Sequence, residues 1–356
     1  MMPTEVTCPA GTVVGTLDDG VRHFRSVPYA RIAHPFDDPV ACPGGTFTDA
    51  TKDNPGAPAL SITTPAGART LGDFPVMVWV HGGRFEEGDH TETVSNPSGF
   101  ARAGVVQVRV GYRLKFPGVL PLAGDPPGHY RAVADCLAAL AWIQRNIEAF
   151  GGDPTNVTVV GQSAGGAIAL WLTRRDHYRG DFRRVLAISP AFPRRSVATR
   201  RWAARGALGV PLTRSALNRL AERDPQRLER AYRRFRRRYP ADMALGLSPM
   251  DPAELAPVPT VVTFTDGEFC LPGQRFAWAR RRISDAAVRR PARAVAAGAA
   301  GPVWLAEHTQ AGRVLGHSDD LEALFAPDPW LLDFVRSGHV GWRPYAEAPT
   351  AQRRRL

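Results

Sequence analysis

One serine in this sequence has neighbours that suit it for chemistry. Ser163 lies at the centre of GQSAG, residues 161–165, which matches the pattern G-x-S-x-G. This pattern is typical of a nucleophile elbow, a sharp turn that lifts a serine hydroxyl clear of the backbone. Such a hydroxyl attacks a carbonyl carbon when a neighbouring base removes its proton. The spacing therefore predicts that Ser163 is a nucleophile.

The residues on either side of the motif predict the elements that an elbow requires. Residues 157–160 (VTVV) form a short β-branched run typical of a buried strand, and residues 167–170 (AIAL) suit a buried helix. Because a serine on a tight turn needs neighbours without bulk, glycines two residues away on each side fit this geometry. The helix would also bring its amide-rich N-terminus close to the hydroxyl. An ordinary glycine-rich turn is the alternative, and the flanking pattern favours the elbow.

The longer stretch around Ser163 resembles a known family signature. Residues 146–165 read NIEAFGGDPTNVTVVGQSAG, which is similar to NIxxFGGDPxNVTxxGxSAG of the type-B carboxylesterase/lipase family. These are cholinesterase-like esterases of the α/β-hydrolase fold. The resemblance implies one α/β-hydrolase domain over residues 1–356, in a shortened form. We expect a mostly parallel twisted sheet with helices on both faces.

The same resemblance implies an oxyanion hole. A predicted strand over residues 74–80 is followed by His81-Gly82-Gly83-Arg84-Phe85, where the family has HGGGF or HGGAF. Small residues there let backbone N–H groups approach the oxyanion of a tetrahedral intermediate. By motif position, the donors are the amides of Gly83, Arg84 and Ala164. Arg84 departs from the pattern, since its side chain must fit where glycine or alanine normally stands.

The family places its triad acid after a strand that matches residues 258–264. Counting without gaps from Val258-Pro259 puts Glu268 on the family's glutamate. The surrounding residues depart from the pattern, however, and Asp266 lies in a turn from which its carboxylate could also reach. Glu268 is the first candidate for the acid and Asp266 the second. Either of them could instead be a surface carboxylate.

The third member of the implied triad is a histidine. Residues 316–321 (GHSDDL) resemble the family's loop G-x-x-H-x-x-E-L, with Asp320 in the acidic position. His317 is therefore expected to act as general base to Ser163 and then as acid to the leaving alcohol. The chain order serine, acid, histidine is that of α/β-hydrolases.

Two further segments carry structural predictions. Residues 193–257 are rich in arginine, leucine and alanine and predict a helical cap inserted into the domain above the site. Their arginines are interpreted as solvated helix faces, and recruitment of acidic substrates or a membrane surface is the alternative. Residues 41–72 are rich in glycine, proline and threonine and are interpreted as a loop, with only residues 60–65 left of a family strand.

Composition restricts partners and location. The net charge of +11 comes almost entirely from arginine, and no nucleic-acid-binding motif accompanies it, so no nucleic acid is expected. The four cysteines lack metal-ligand spacing, and no metal or organic cofactor is implied. The N-terminus has no signal-peptide pattern and no apolar run is long enough to span a membrane. We expect a cytoplasmic protein with reduced thiols and no stable membrane insertion, and the sequence predicts no oligomeric state.

These observations predict a serine carboxylesterase that hydrolyses small-molecule esters in two steps through an acyl-enzyme. Gln162 precedes the nucleophile where many relatives carry glutamate, which disfavours cationic choline esters. A second hypothesis is a catalytically degenerate binding protein, since the family also resembles adhesion proteins that lost the triad, and Arg84 favours it. A third is a basic protein that binds nucleic acid or a membrane surface through charge alone.

Overall fold

The computed structural model describes residues 2–56, 58–240, 242–274, 276–326 and 329–356, so Ala241 of the predicted cap lies outside the described residues. The strands are β1 (Met2–Cys8), β2 (Gly11–Asp18), β3 (Val21–Pro28), β4 (Ala30–Arg31), β5 (Val40–Ala41), β6 (Thr46–Asp49), β7 (Ala59–Pro65), β8 (Phe74–Val80), β9 (Val106–Gly111), β10 (Gly152–Gln162), β11 (Arg184–Ile188), β12 (Thr260–Thr265), β13 (Val303–Thr309) and β14 (Gln352–Arg355). The helices are α1 (Pro97–Arg102), α2 (Lys115–Val119), α3 (Arg131–Asn146), α4 (Ala164–Leu172), α5 (Arg201–Leu208), α6 (Arg214–Arg223), α7 (Pro225–Arg236), α8 (Ala277–Ser284), α9 (Arg290–Gly298), α10 (Leu321–Phe325) and α11 (Pro329–Ser337).

Within these ranges, a 12-stranded sheet has the order β1-β2-β3-β7-β9-β8-β10-β11-β12-β13-β14, with β6 paired to β2. From β9 to β14 every neighbouring pair is parallel, whereas β1, β2, β3, β7 and β9 pair in antiparallel fashion. The mostly parallel sheet is as predicted. Because the carboxyl ends of parallel strands meet at one edge, residues that follow β8, β10, β12 and β13 are brought to that edge.

The sheet is covered on both faces. In β8, Val76, Val78 and Val80 belong to one buried cluster, and Met77 and Trp79 belong to the cluster on the other side. The first cluster includes side chains of α3, α4 and α9, and the second includes side chains of α1, α10 and α11. Side chains alternate along a strand, so a continuous apolar run such as β8 is what a sheet buried on both faces requires.

The interpretation of residues 41–72 as loop is wrong for residues 46–49, which form β6 beside β2. The strand expected at residues 60–65 is present and covers residues 59–65. Those residues form β7, which pairs with β3 on one side and β9 on the other. Its sequence ALSITTP is rich in hydroxyl side chains, yet Ser61, Thr63 and Thr64 are completely buried. The hydroxyls of Ser61 and Thr64 are hydrogen-bonded to His90 and to the carbonyl of Phe150, at 2.8 and 2.9 Å. Tertiary partners therefore satisfy polar groups that local composition assigns to a loop.

The arginine-rich segment 193–257 contains α5, α6 and α7. Arg233, Arg234 and Arg237 are exposed, as predicted for solvated helix faces. The prediction is wrong for Arg200, whose side chain is only 5% exposed, pairs with Asp242 at 2.5 Å and stacks on Tyr239. A buried guanidinium is stable here because a carboxylate compensates its charge. Across the described residues, we find no helix with the length and apolar character needed to cross a membrane.

Candidate active site

Ser163 lies on the turn between β10 and α4, in a strained backbone conformation with φ 54° and ψ −114°. Its neighbours permit this turn because they are small: a Cβ on Gly165 would lie 2.0 Å from the carbonyl oxygen of Val80. Ser163 is 5% exposed, and its carbonyl accepts the first hydrogen bond of α4, from Ala167. The hydroxyl therefore stands at the helix N-terminus, as the elbow geometry requires.

A chain of short hydrogen bonds starts at this hydroxyl. Ser163 Oγ lies 2.8 Å from His317 Nε2, and His317 Nδ1 lies 2.6 Å from Glu268 Oε2. The carboxylate can only accept, so Nδ1 carries a proton and donates it to Glu268. In the neutral ring, Nε2 is then the acceptor that faces the serine hydroxyl. This is the arrangement in which an imidazole removes a serine proton.

Glu268 is completely buried behind the histidine. Its second oxygen, Oε1, accepts from Ser189 Oγ at 2.7 Å and from the amide of Thr265 at 2.8 Å. Burial by itself raises the pKa of the carboxyl, but the hydrogen bond and charge of His317, with the donors Thr265 and Ser189, outweigh it and hold the pKa of Glu268 below its ordinary value. Glu268 is therefore an anion at neutral pH.

Asp266, the second candidate acid, points elsewhere. Its Oδ1 accepts from the amide of Leu315 at 2.8 Å. Backbone bonds join the same two segments, from Gly267 N–H to the Leu315 carbonyl at 2.9 Å and from His317 N–H to the Glu268 carbonyl at 2.9 Å. Asp266 thus fastens the loop that carries His317 (the histidine loop) to the turn that carries Glu268. The carboxylate that contacts the imidazole is that of Glu268.

Polar contacts hold the rest of the histidine loop. Asp320 and His308 are both completely buried, and Asp320 Oδ2 lies 2.6 Å from His308 Nδ1 on β13. Gln162 Nε2 donates to Ser318 Oγ at 2.7 Å. The acidic position of the predicted loop therefore anchors it to the sheet, and Gln162 contacts the loop from the side of the nucleophile.

The predicted oxyanion loop follows β8 directly. It approaches the nucleophile so closely that a Cβ on Gly82 would lie 3.3 Å from the Ser163 Cβ and 2.3 Å from Gln162 Oε1. In the described part of the chain, the N–H groups of Gly83, Arg84 and Ala164 have no hydrogen-bond acceptor. Main-chain donors at such a position are available to a ligand. Arg84 has φ 59°, a conformation that glycine adopts far more readily than arginine.

A cavity of about 350 Å³ opens at Ser163 and His317. Its apolar wall is formed by Ala191, Pro240, Met243, Phe269, Ile283 and Ala287. Arg84, Arg280 and Asp242 add charged groups. The ring of Phe269 lies 4.5 Å from that of His317. A serine beside such a cavity can reach an ester whose acyl or alcohol part is apolar.

The site places a hydroxyl, an imidazole and a buried carboxylate in one hydrogen-bonded series, an arrangement suited to acyl transfer. Within the described ranges, no group of three or more His, Cys, Asp or Glu side chains is placed to hold a metal ion.

Comparison with known proteins finds similarity to carboxylesterases over part of the chain. The sequence pattern of the Carboxylesterase family matches residues 58–208. These residues, less than half of the chain, are similar to that family. It is 33% identical to human bile salt-activated lipase (Homo sapiens) over 203 residues, which are 49% of this chain and 27% of that protein. It is 31% identical to para-nitrobenzyl esterase of Bacillus subtilis (strain 168) over 214 residues, which are 52% of this chain and 43% of that protein.

The fold of this chain is that of solved esterase structures. A structure of PNB esterase superimposes with a TM-score of 0.80 at 24% identity, over 96% of this chain and 93% of that one. The α/β-hydrolase fold predicted from the signature is thereby confirmed. By sequence, the chain matches less than half the length of the bile salt-activated lipase and the para-nitrobenzyl esterase.

Sequence reasoning missed Ser189, which donates to Glu268. Ser189 follows β11 directly, is completely buried and has φ 44°. A signal was available, because a polar residue at the carboxyl end of a parallel strand next to that of the nucleophile is well placed to contact a site. Sequence alone could not identify its partner, since Glu268 lies 79 residues further along the chain.

The imidazole of His81, which introduces the oxyanion loop, predicts a pH dependence of stability. It is stacked on Tyr112 with ring centroids 4.3 Å apart, and its Nδ1 donates to the Gly82 carbonyl at 2.9 Å. Burial lowers the pKa of His81 to about 4. As pH falls from about 6.5 to about 4, the unfolded chain takes up a proton there that the folded chain does not, so stability decreases with falling pH. We expect this group to remove about 3 kcal/mol of unfolding free energy over that interval.

The measurement is urea unfolding of wild type and His81→Gln at a series of pH values. The unfolding free energy of the variant should fall less steeply with decreasing pH over this interval. The two slopes should differ by the equivalent of at most one proton taken up on unfolding. His339→Gln changes an exposed histidine and serves as the matched control. Equal slopes for all three proteins would contradict the prediction.

Proposed function

We propose that the protein is a serine carboxylesterase that hydrolyses small-molecule carboxylic esters. The observation that carries the proposal is the continuous hydrogen-bonded chain from Ser163 through His317 to Glu268, with distances of 2.8 and 2.6 Å. Such a chain beside a cavity is the arrangement required for acyl transfer. The relatives named above as esterase and lipase support the same reaction class.

Ser163 Oγ attacks the ester carbonyl while His317 Nε2 takes its proton. Glu268 stabilises the imidazolium that forms, through the short bond to Nδ1. The imidazolium then donates its proton to the leaving alcohol as the acyl-enzyme forms. In the second step His317 takes a proton from water, the water oxygen attacks the acyl carbon, and Ser163 leaves with the proton as the acid is released.

The oxyanion of each tetrahedral intermediate is stabilised by the amides of Gly83, Arg84 and Ala164. Their lack of an acceptor in the described residues supports this role. Preorganised donors of this kind typically contribute about 10²- to 10³-fold each to turnover. Residues 193–257 act as a cap, which is supported by Pro240, Asp242 and Met243 from that segment lining the cavity.

A series of p-nitrophenyl esters of increasing acyl length tests the proposal. We expect turnover on the short esters, and loss of turnover after treatment with an organophosphate that phosphorylates nucleophilic serines. Peptide mass spectrometry should locate the phosphoryl group on Ser163. A folded protein that neither hydrolyses any ester in the series nor becomes labelled would favour the degenerate binding protein instead.

The strained position of Arg84 predicts the effect of Arg84→Gly. Glycine adopts φ 59° without strain, so the amide keeps its place while the side chain leaves the cavity wall. We expect the variant to retain hydrolysis of short esters and to gain activity on esters with bulkier acyl groups. Comparing kcat/KM for p-nitrophenyl acetate and p-nitrophenyl trimethylacetate in both proteins measures this change.

Arg281→Gly is a suitable control, because Arg281 is exposed and does not line the cavity around Ser163. Loss of activity on every ester in Arg84→Gly alone would show that the guanidinium has a direct part in the reaction.

A further inference from the structure

The cavity at Ser163 has two guanidinium groups in an otherwise largely apolar wall. Arg84 comes from the oxyanion loop and Arg280 from α8. Arg280, Ile283 and Ala287 all line the cavity, at helical spacing, so one face of this segment is turned towards the site. Arg281, next to Arg280, lines a different cleft together with Ala277.

Neither guanidinium is neutralised by the described part of the protein. Arg84 Nη2 donates to the main-chain oxygen of Asp242 at 3.2 Å, and its Nε is buried without a hydrogen-bond partner. Arg280 is exposed and makes no side-chain hydrogen bond or ion pair with any described residue. A guanidinium has five N–H donors, so both side chains have donors left for a ligand.

The carboxylates near the cavity are already engaged. Asp242 lines the wall, but its carboxylate pairs with Arg200 at 2.5 Å and lies 3.6 Å from Arg194, and it also accepts from the Met243 amide at 2.9 Å. Glu268 is directed at His317 and lies behind it. The charges left facing the cavity are therefore positive.

A second cleft of about 470 Å³ adjoins the cavity and shares Pro240 and Asp242 with it. Its lining adds Arg194, Arg195 and Arg238 to the buried Arg200, so four arginines share this cleft with the single carboxylate of Asp242. Clefts lined by charge of one sign concentrate ligands of the opposite sign. The cleft beside the cavity thus favours anions.

The backbone conformation of Arg84 also indicates that its side chain has a function in the cavity. An arginine at φ 59° costs conformational energy that glycine would not, and such strain persists where the surrounding structure uses the residue. What this side chain adds to the cavity is a cation within an apolar wall.

We propose that this site selects esters that carry a carboxylate, joined by a short apolar chain to the ester group, and that Arg84 and Arg280 bind that carboxylate. The apolar wall receives the chain, and the guanidinium groups receive the charge at its end, by the charge-assisted hydrogen bonds that arginine makes to carboxylates. The inference rests on the proposed esterase function and specifies its substrate class.

The experiment compares two esters of equal length, the p-nitrophenyl monoester of adipic acid and p-nitrophenyl hexanoate, after subtraction of spontaneous hydrolysis. The quantity measured is the ratio of kcat/KM for the anionic ester to that for the neutral ester. We expect this ratio to fall about tenfold in Arg280→Gln and again about tenfold in Arg84→Gly, mainly through KM of the anionic ester. Both esters have the same reacting group, so a change in the oxyanion loop caused by Arg84→Gly alters kcat/KM of both esters alike. Such a change therefore cancels in the ratio.

Arg281→Gln is the matched control on the same helix and should leave the ratio as in wild type. The wild-type ratio should also fall when ionic strength rises from about 0.02 M to about 0.5 M, since salt screens the attraction. A second pair, 4-acetoxybenzoate and p-tolyl acetate, places the charge on the alcohol side. A ratio that responds to Arg280→Gln in only one pair would assign the carboxylate to that side of the ester.

Ratios unaffected by Arg280→Gln, Arg84→Gly and salt in both pairs would overturn the inference. If the neutral esters were still hydrolysed in that case, and Ser163→Ala abolished it, the esterase function would stand without the anionic specificity. If wild type hydrolysed neither neutral nor anionic esters, the proposed function itself would fail, and the inference with it.

Discussion

Replacing Ser163 by alanine should lower turnover on short aryl esters by on the order of 10⁴-fold or more while leaving the fold intact. The hydroxyl contacts His317 Nε2 at 2.8 Å, and its loss removes the nucleophile without removing a bond that holds the turn. The turn is held instead by main-chain hydrogen bonds. The Ser163 N–H donates to the Ile188 carbonyl, and the Ser163 carbonyl accepts from the N–H groups of Ala167 and Ala191. The measurement is kcat on p-nitrophenyl acetate, with circular dichroism to verify folding.

Ser337→Ala is a matched control, because Ser337 is an exposed serine at the end of α11. It should keep wild-type turnover and wild-type labelling by an organophosphate, whereas Ser163→Ala should show neither. Turnover close to wild type in clean, folded Ser163→Ala would remove Ser163 from the role of nucleophile.

The second large effect is expected from the buried acid. Glu268→Gln should lower kcat by on the order of 10³- to 10⁴-fold, whereas Asp266→Asn should cost much less. A glutamine cannot stabilise the imidazolium by charge, and its amide group can face His317 Nδ1 with a donor, which favours the wrong tautomer. In Asp266→Asn, by contrast, the amide oxygen of the new side chain can still accept from the Leu315 N–H, so the histidine loop keeps its fastening.

The two variants control for each other, since each exchanges one carboxylate for its amide within a span of three residues. Both should be measured with p-nitrophenyl acetate over a range of pH, together with their thermal stability. The opposite ranking would transfer the role of the acid to Asp266. Small losses in both variants would show that neither carboxylate is needed, and would favour the degenerate binding protein.

The sheet was largely predictable where strands are apolar on both faces. β8 has the bounds predicted from FPVMVWV, because a run without polar residues fits a strand covered on both sides. β7 was not predictable in this way, since the hydroxyls of Ser61 and Thr64 are satisfied by partners that lie 29 and 86 residues away. Local composition carries no information on such partners.

In the candidate site, too, some residues were predictable from their neighbours in sequence and others were not. Ser163 stands in a motif whose glycines are required by its own turn, so neighbours in sequence identify it. The choice between Glu268 and Asp266 depends on which carboxylate faces a loop 49 residues further along the chain, so counting along the family pattern favoured Glu268 but left Asp266 open. Ser189 was missed for the same reason, since its hydrogen bond to Glu268 is made only after folding.

The main-chain bonds between residues 266–268 and 315–317 have a consequence for the evolution of specificity. Glu268 and His317 are held in register by main-chain hydrogen bonds, from the Gly267 N–H to the Leu315 carbonyl and from the His317 N–H to the Glu268 carbonyl. The side chains that line the cavity take no part in these bonds. Under the proposed esterase function, substitutions at Arg84, Arg280 or Met243 should therefore change which esters fit without displacing Glu268 and His317. We expect libraries randomised at these wall positions to yield new substrate ranges at a low rate of inactive clones, because recognition and proton transfer are built from separate parts of the chain.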